Sequence, residues 1–297
     1  MTKRAVVIGI NDYSVQGFSN LAGCVRDADA MYHLLIDAFL FDPAQVFIYK
    51  NQQASYANIV KALNYILKAS EPGDVACLYY AGHGGLHPTS TAGTYYQTII
   101  PASGQFITDF ELRQAADQLR PSEVNFTVIL DSCHSGGMID PATPVGDVRT
   151  IALAQQFVAT AAATMKTVVP FGIAVPDIAT MSNNIHQVAP APPATVCYTE
   201  EANREFVPGA KATLLAASRW DEYAGESSDH GFLTKAILET VNASNYSATH
   251  QAFHSALTTK VHNLANHEQH PVLRGQQNRM NESFLHGWTT SVPTPVG

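Results

Sequence analysis

Two glycine-flanked segments hold the side chains best suited to covalent chemistry. Cys133 stands in Asp131-Ser132-Cys133-His134-Ser135-Gly136-Gly137, just after the apolar run 124–130. His83 stands in Tyr79-Tyr80-Ala81-Gly82-His83-Gly84-Gly85, at the end of the apolar run 75–81. The thiolate is the reactive form of cysteine, so a nucleophilic thiol needs exposure and a group that takes its proton. A turn at a strand end supplies exposure. Its glycines let backbone N–H groups approach a developing oxyanion, with those near Gly84 and Cys133 as candidates. An imidazole between glycines is expected to be exposed there and to exchange a proton near neutral pH. The competing reading of any lone cysteine is a buried structural thiol. That reading is kept for Cys24, Cys77 and Cys197, whose flanks carry no such turn. A metal held by His83 and His87 is disfavoured, because Gly84 and Gly85 break the helix that would bring them together. No metal ligand is assigned.

The elements that must position these residues can be read from apolar periodicity. Runs at 5–10, 45–49, 75–81, 124–130 and 212–217 read as buried strands. Apolar spacing such as Ala28, Met31, Leu35 and Ala38 marks a helix from 25 to about 41. Further helices are expected at 56–69, 109–119, 232–241 and 248–266, with an edge strand at 271–274 after Pro271. Strand and helix in alternation predict an α/β fold, a parallel sheet with helices on both faces. Ligands in such sheets bind beyond the carboxyl ends of the strands, where both glycine-rich segments fall. Residues 150–208 break the pattern with alanine- and proline-rich sequence and read as a long insertion, partly helical and partly mobile.

Composition narrows the function classes. The chain has 297 residues, 46% hydrophobic and 14% charged, which suits a globular core and not a disordered chain. A net charge of −8 argues against nucleic acid as a partner and mildly favours a cationic substrate. The four cysteines are scattered, without the paired spacing of a zinc ribbon. The opening apolar run is too short for a signal peptide or a membrane span. A monomeric, cytoplasmic protein with no membrane partner is expected. No G-x-x-x-x-G-K-[ST] follows the first strand, which disfavours a nucleotide-binding reading.

His83 precedes Cys133 by fifty residues, the order and spacing of caspases and the reverse of papain-like enzymes. With the motifs at 79–84 and 131–136, the chain resembles the caspase/metacaspase family, in particular the metacaspase-like peptidases of prokaryotes (orthocaspases). Blocks at 4–10, 23–28 and 217–219 resemble the family too. The resemblance implies a single caspase-like domain, a three-layer α/β/α sandwich about a mostly parallel sheet of about six strands. Residues 1–149 would match the large subunit, 150–208 a linker and 209–290 the small subunit. It implies a cysteine endopeptidase using a Cys133–His83 dyad, with no organic cofactor and with calcium as an activator, although the sequence assembles no calcium ligand set.

The resemblance also implies a substrate. In metacaspases, acids matching Asp27 and Asp131 line the primary specificity pocket for arginine or lysine, and Cys24 matches another lining position. Ala81 stands where those enzymes often have serine. Two carboxylates facing a guanidinium form charge-assisted bonds. Asp27 could equally be a solvated first-turn acid, and Asp131 a turn cap. Arg26 beside Asp27 leaves aspartyl specificity as an alternative, and a non-catalytic regulatory binding module is a further one. Asp221 and Glu222 follow the strand that borders this pocket in the family and are candidate substrate contacts or metal ligands, or ordinary solvated acids. Under basic specificity, Arg149, Lys166 and Arg204 become candidate self-cleavage sites.

Overall fold

The computed structural model describes residues 1–16, 18, 20–88, 95–117, 124–132, 212–219, 222, 224–227, 229–243, 247–266 and 269–286. Cys133, His134, Asp221, the insertion at 150–208 and the candidate cleavage sites Arg149, Lys166 and Arg204 lie outside the described residues.

The β-branched runs form strands where periodicity placed them: β1 (Lys3–Gly9), β2 (Val46–Lys50), β3 (Val75–Ala81), β7 (Asn125–Asp131), β8 (Ala212–Ala216) and β9 (Val272–Arg274). They build one sheet in the order β2-β1-β3-β7-β8-β9, parallel except for the β8–β9 edge. Every residue of β3 and β7 is buried, as expected of central parallel strands covered on both faces.

The helices are α1 (Cys24–Asp37), α2 (Tyr56–Lys68), α3 (Asp109–Asp117), α4 (Phe232–Ala243), α5 (His250–Leu264) and the short α6 (Gln277–Met280). The β1–α1–β2 crossover and the β2–α2–β3 crossover step across the sheet in opposite directions. With right-handed crossovers, α1 and α2 must therefore cover opposite faces. The packing agrees: α1 contacts α4, which contacts α5, whereas α2 contacts α3. Ser55 and Thr249 cap α2 and α5, each hydroxyl accepting a backbone N–H of the first turn. Among the described residues no helix is long and apolar enough to cross a membrane.

One element was not anticipated. Between β3 and α3 the chain forms an antiparallel sheet of β4 (Gly84–Pro88), β5 (Tyr95–Ile99) and β6 (Ile107–Thr108). Its short strands carry glycines and buried polar residues such as Gln97 and Thr98. They lack the apolar alternation that advertises a strand.

The amino ends of the strands close on the carboxyl-terminal segment. Lys3 Nζ donates to Phe39 O at 2.6 Å and Leu285 O at 3.3 Å. The Asp74 carboxylate accepts Thr2 N–H at 2.6 Å and an Arg4 guanidinium N–H at 2.7 Å. Asn125 Nδ2 donates to Ser283 O and His286 O, at 2.9 and 2.7 Å. Arg279 donates to Val124 O at 2.7 Å and pairs with Glu282 at 3.0 Å. Burial still pushes Glu282 up to about 7 against the pull of Arg279. His250 donates from Nδ1 to Glu282 O and so accepts Thr127 Oγ1–H at Nε2, the pattern of a neutral ring. Burial holds its pKa down at about 4.

Candidate active site

The site begins with strand register. Gly9, Ala81 and Asp131 lie side by side at the carboxyl ends of β1, β3 and β7. His83 and Cys133 each follow two residues after the paired residues Ala81 and Asp131. Adjacent parallel strands run about 4.8 Å apart, so the chain leaves the sheet at both places as near neighbours.

His83 is 1% exposed, which corrects the expectation of an open imidazole. Two features cover it. The loop between β1 and α1 lays Tyr13 and Phe18 against the ring, with centroids 4.5 and 6.5 Å away. The main chain leaving His83 is pinned by Ile100 N–H on His83 O at 3.1 Å.

Two tyrosines hold the histidine backbone. His83 N–H donates to Tyr13 Oη at 2.8 Å. Tyr80 Oη donates to the carbonyls of His83 and Ile100, at 2.6 and 2.9 Å. Its single proton faces acceptors that have none to give, so Tyr13 is the donor in the 3.1 Å contact between the two hydroxyls. Burial and the neighbouring Tyr80 push the Tyr13 hydroxyl well above its usual range, so it keeps that proton. A side chain at Gly82 would run into both hydroxyls, which is why the residue before His83 has none. The loop carrying Tyr13 is itself fastened: Asn51 Oδ1 accepts the N–H groups of Asn11 and Asp12, and Asn11 Oδ1 accepts Val25 N–H at the start of α1.

The two acids come next. Gly9 has no room for a side chain against Cys24 and Ala28, so α1 packs close on the end of β1. That places Asp27 deep in the fold, 0% exposed. Its Oδ1 accepts His230 Nδ1–H at 2.8 Å, and both its oxygens lie 3.2 Å from Gly231 N–H. Asp131 is also 0% exposed. Its Oδ2 accepts Thr234 N–H at 3.0 Å and Thr234 Oγ1–H, with Tyr79 Oη 2.6 Å from that same Oγ1. Both carboxylates therefore face the amino end of α4, where unsatisfied N–H groups and the helix dipole stabilise negative charge. The capping is reciprocal: Glu226, just before α4, accepts Gly23 N–H at the start of α1 at 3.2 Å.

Of the other expected site residues, Ala81 and Gly84 are buried beside this cluster, and Cys24 lies one helical turn before Asp27, buried and outside any disulfide. Cys77 is a core thiol whose pKa burial pushes up, in keeping with a structural role. Glu222 stands apart. Its carboxylate accepts His270 N–H at 2.9 Å and His270 Nδ1–H at 2.6 Å, tying the end of β8 to the segment before β9. Among the described residues no three His, Cys, Asp or Glu side chains converge as a metal site.

Sequence reasoning missed Tyr13, Tyr80, His230 and Thr234. A tyrosine pair in a fully buried strand was a usable signal, because a buried hydroxyl must find a partner. His230 carries no local pattern that marks it.

Comparison with known proteins agrees with this architecture. Residues 3–142 match the model of the metacaspase peptidase C14 domain. Metacaspase-4 of Arabidopsis thaliana is 34% identical over 151 residues, 48% of this chain and 35% of that protein. Metacaspase-1 of Schizosaccharomyces pombe is 31% identical over 151 residues, 46% of this chain and 35% of the other. The match thus spans about a third of the length of these relatives. A crystal structure of protein GSU0716 from Geobacter sulfurreducens superposes with a TM-score of 0.68 at 20% identity, covering 97% of this chain and all of that one. That likeness establishes a common fold. Residues 3–142 are thus similar to the metacaspase peptidase C14 domain, and the relatives that share this stretch are metacaspases.

Proposed function

We propose that this protein is a cysteine endopeptidase that cleaves after arginine or lysine, with Cys133 as nucleophile and His83 as its proton-transfer partner. The observation that carries the proposal is the Ala81–Asp131 register on neighbouring strands, since His83 and Cys133 each follow these paired residues by two positions in the sequence. The Cys133 thiolate attacks the substrate carbonyl carbon and forms a C–S bond. Backbone N–H groups near Cys133 and Gly84 hold the oxyanion. The C–N bond then breaks as His83 passes its proton to the leaving amine. Water hydrolyses the thioester, releasing the carboxylic acid and restoring the thiol.

Basic specificity rests on Asp27 and Asp131, whose carboxylates converge on one helix end and suit a guanidinium or ammonium. A second reading has a specific observation in its favour: both acids already bond to residues 230–234, so they could serve only to fasten α4. Self-processing at Arg149, Lys166 or Arg204 and activation by calcium belong to the same proposal, with no organic cofactor required. The test is a fluorogenic arginyl peptide presented to the wild-type chain and to Cys133→Ala, with and without calcium. Cleavage that persists in Cys133→Ala defeats the assignment of the nucleophile. Cleavage after arginine that survives Asp27→Asn and Asp131→Asn supports the second reading.

A further inference from the structure

We infer that His230 gates the basic side-chain site: its imidazole holds the Asp27 oxygen that a substrate guanidinium or ammonium would take, and a basic residue enters by displacing it. This rests on the peptidase reading above and names a specificity-determining residue within it.

The partners of the two acids differ in what can move. Gly231 N–H belongs to the backbone at the root of α4 and pairs with Glu226 in an antiparallel bridge. Asp131 is held by the main chain and hydroxyl of Thr234, inside the first turn of the helix. Removing either would require unwinding α4. His230 is a side chain, 25% exposed, that reaches Asp27 through the single donor Nδ1. Rotation about its side-chain bonds removes the Nδ1 donor from Oδ1 while the backbone, with Gly231 N–H, stays in place.

The turn that carries His230 is independently fixed. Ser227 N–H and Ser227 Oγ–H both donate to His230 O, at 2.8 and 2.9 Å, and His230 N–H returns to Ser227 Oγ at 3.2 Å. Glu226, next to Ser227, is anchored on Gly23 N–H. The imidazole can therefore leave without its turn leaving.

The exchange favours a basic ligand. An imidazole offers Asp27 one N–H, whereas a guanidinium offers two parallel ones in a planar fork. Neutral side chains bring no cation to Asp27. The contact thus excludes weak ligands from a buried acid and yields to strong ones.

The test uses the full chain with 15N-labelled histidine, titrated with agmatine, a guanidinium probe without a scissile bond. The His230 resonance is assigned by its loss in His230→Gln. The gate predicts a saturable shift of His230 Nδ1 that disappears in Asp27→Asn. It also predicts that His230→Ala lowers KM for an arginyl reporter about three- to tenfold, the worth of one net hydrogen bond, with kcat changed less than about twofold. His230→Gln, which keeps a donor, stays closer to wild type. Saturable agmatine binding that leaves His230 unmoved overturns the gate alone. So does a raised KM in His230→Ala at unchanged melting temperature, which would make His230 a support for Asp27. Absence of agmatine binding by the wild type overturns the gate and basic specificity together, while Cys133-dependent cleavage of other peptides would leave the peptidase standing. If Asp27→Asn fails to fold, the two His230 variants carry the test.

Discussion

The two ends of the central sheet use their buried polar groups differently. At the amino ends of the strands, Lys3, Asp74, Asn125 and Arg279 bond to main-chain atoms of the strand ends, of Phe39 and of the closing segment around 282–286, and Asp74 and Arg279 also pair with Arg4 and Glu282. Those partners come with the fold and have nothing to exchange with. At the carboxyl ends, Asp27 and Asp131 face a helix amino end, and one contact is made by a partly exposed histidine. Beside them the Tyr13–Tyr80 pair grips His83 by its backbone. The comparison teaches that a buried polar group is structural when its partners are main chain or a counter-charge that is itself well buried. It becomes a candidate for function when a partner can leave.

Substitutions at each end can break or sharpen this contrast. The largest expected effect is at the proposed dyad: Cys133→Ala or His83→Ala should lower kcat/KM for an arginyl reporter about a thousandfold or more, measured by steady-state hydrolysis. Next comes acid sensitivity at the opposite end. His250 has a folded pKa of about 4 against an ordinary 6.5, so the unfolded chain takes up the proton first. Its contribution is present above pH 6.5 and is lost as pH falls toward 4. Urea unfolding should lose about 3 kcal/mol in wild type relative to His250→Gln between pH 7 and pH 4. Glu282, raised to about 7, acts in the opposite sense, losing its contribution as pH rises through 7. It is present in both proteins and drops out of the difference.

A matched pair then separates structure from function. Asn125→Ala and Asp131→Asn should each cost about 2 kcal/mol in urea unfolding, because each strands buried hydrogen-bonding groups. Only Asp131→Asn should also raise KM for the arginyl reporter. Equal effects of the two on KM would erase the distinction between the ends. The smallest expected effect is Tyr13→Phe, which removes the acceptor of His83 N–H. It should cost about 1 kcal/mol of stability. Its kcat should fall several-fold with KM held, since the loosened imidazole is misplaced relative to the thiol.

Much of this was legible in the chain itself. The strand runs, the helix faces and the fifty-residue interval from His83 to Cys133 are local facts. Periodicity and chemical type follow from residues near one another in sequence, so β1, β3, β7 and the helices appear close to where they were expected. The acids Asp27 and Asp131 were also named beforehand. The β4–β6 sheet was not, because glycine-led strands with polar residues lack a periodic signature. The burial of His83 was not, because its cover comes from Tyr13, 70 residues earlier. The partners of the acids were beyond reach for the same reason: Gly231 and Thr234 lie 204 and 103 residues from Asp27 and Asp131. The sequence by itself determined which reactive side-chain types the chain carries and where its strands run, since side-chain type and hydrophobic period are properties of the chain. Only the tertiary structure decided which of those groups are held and by what, since hydrogen bonding in a buried site depends on segments the fold alone brings together.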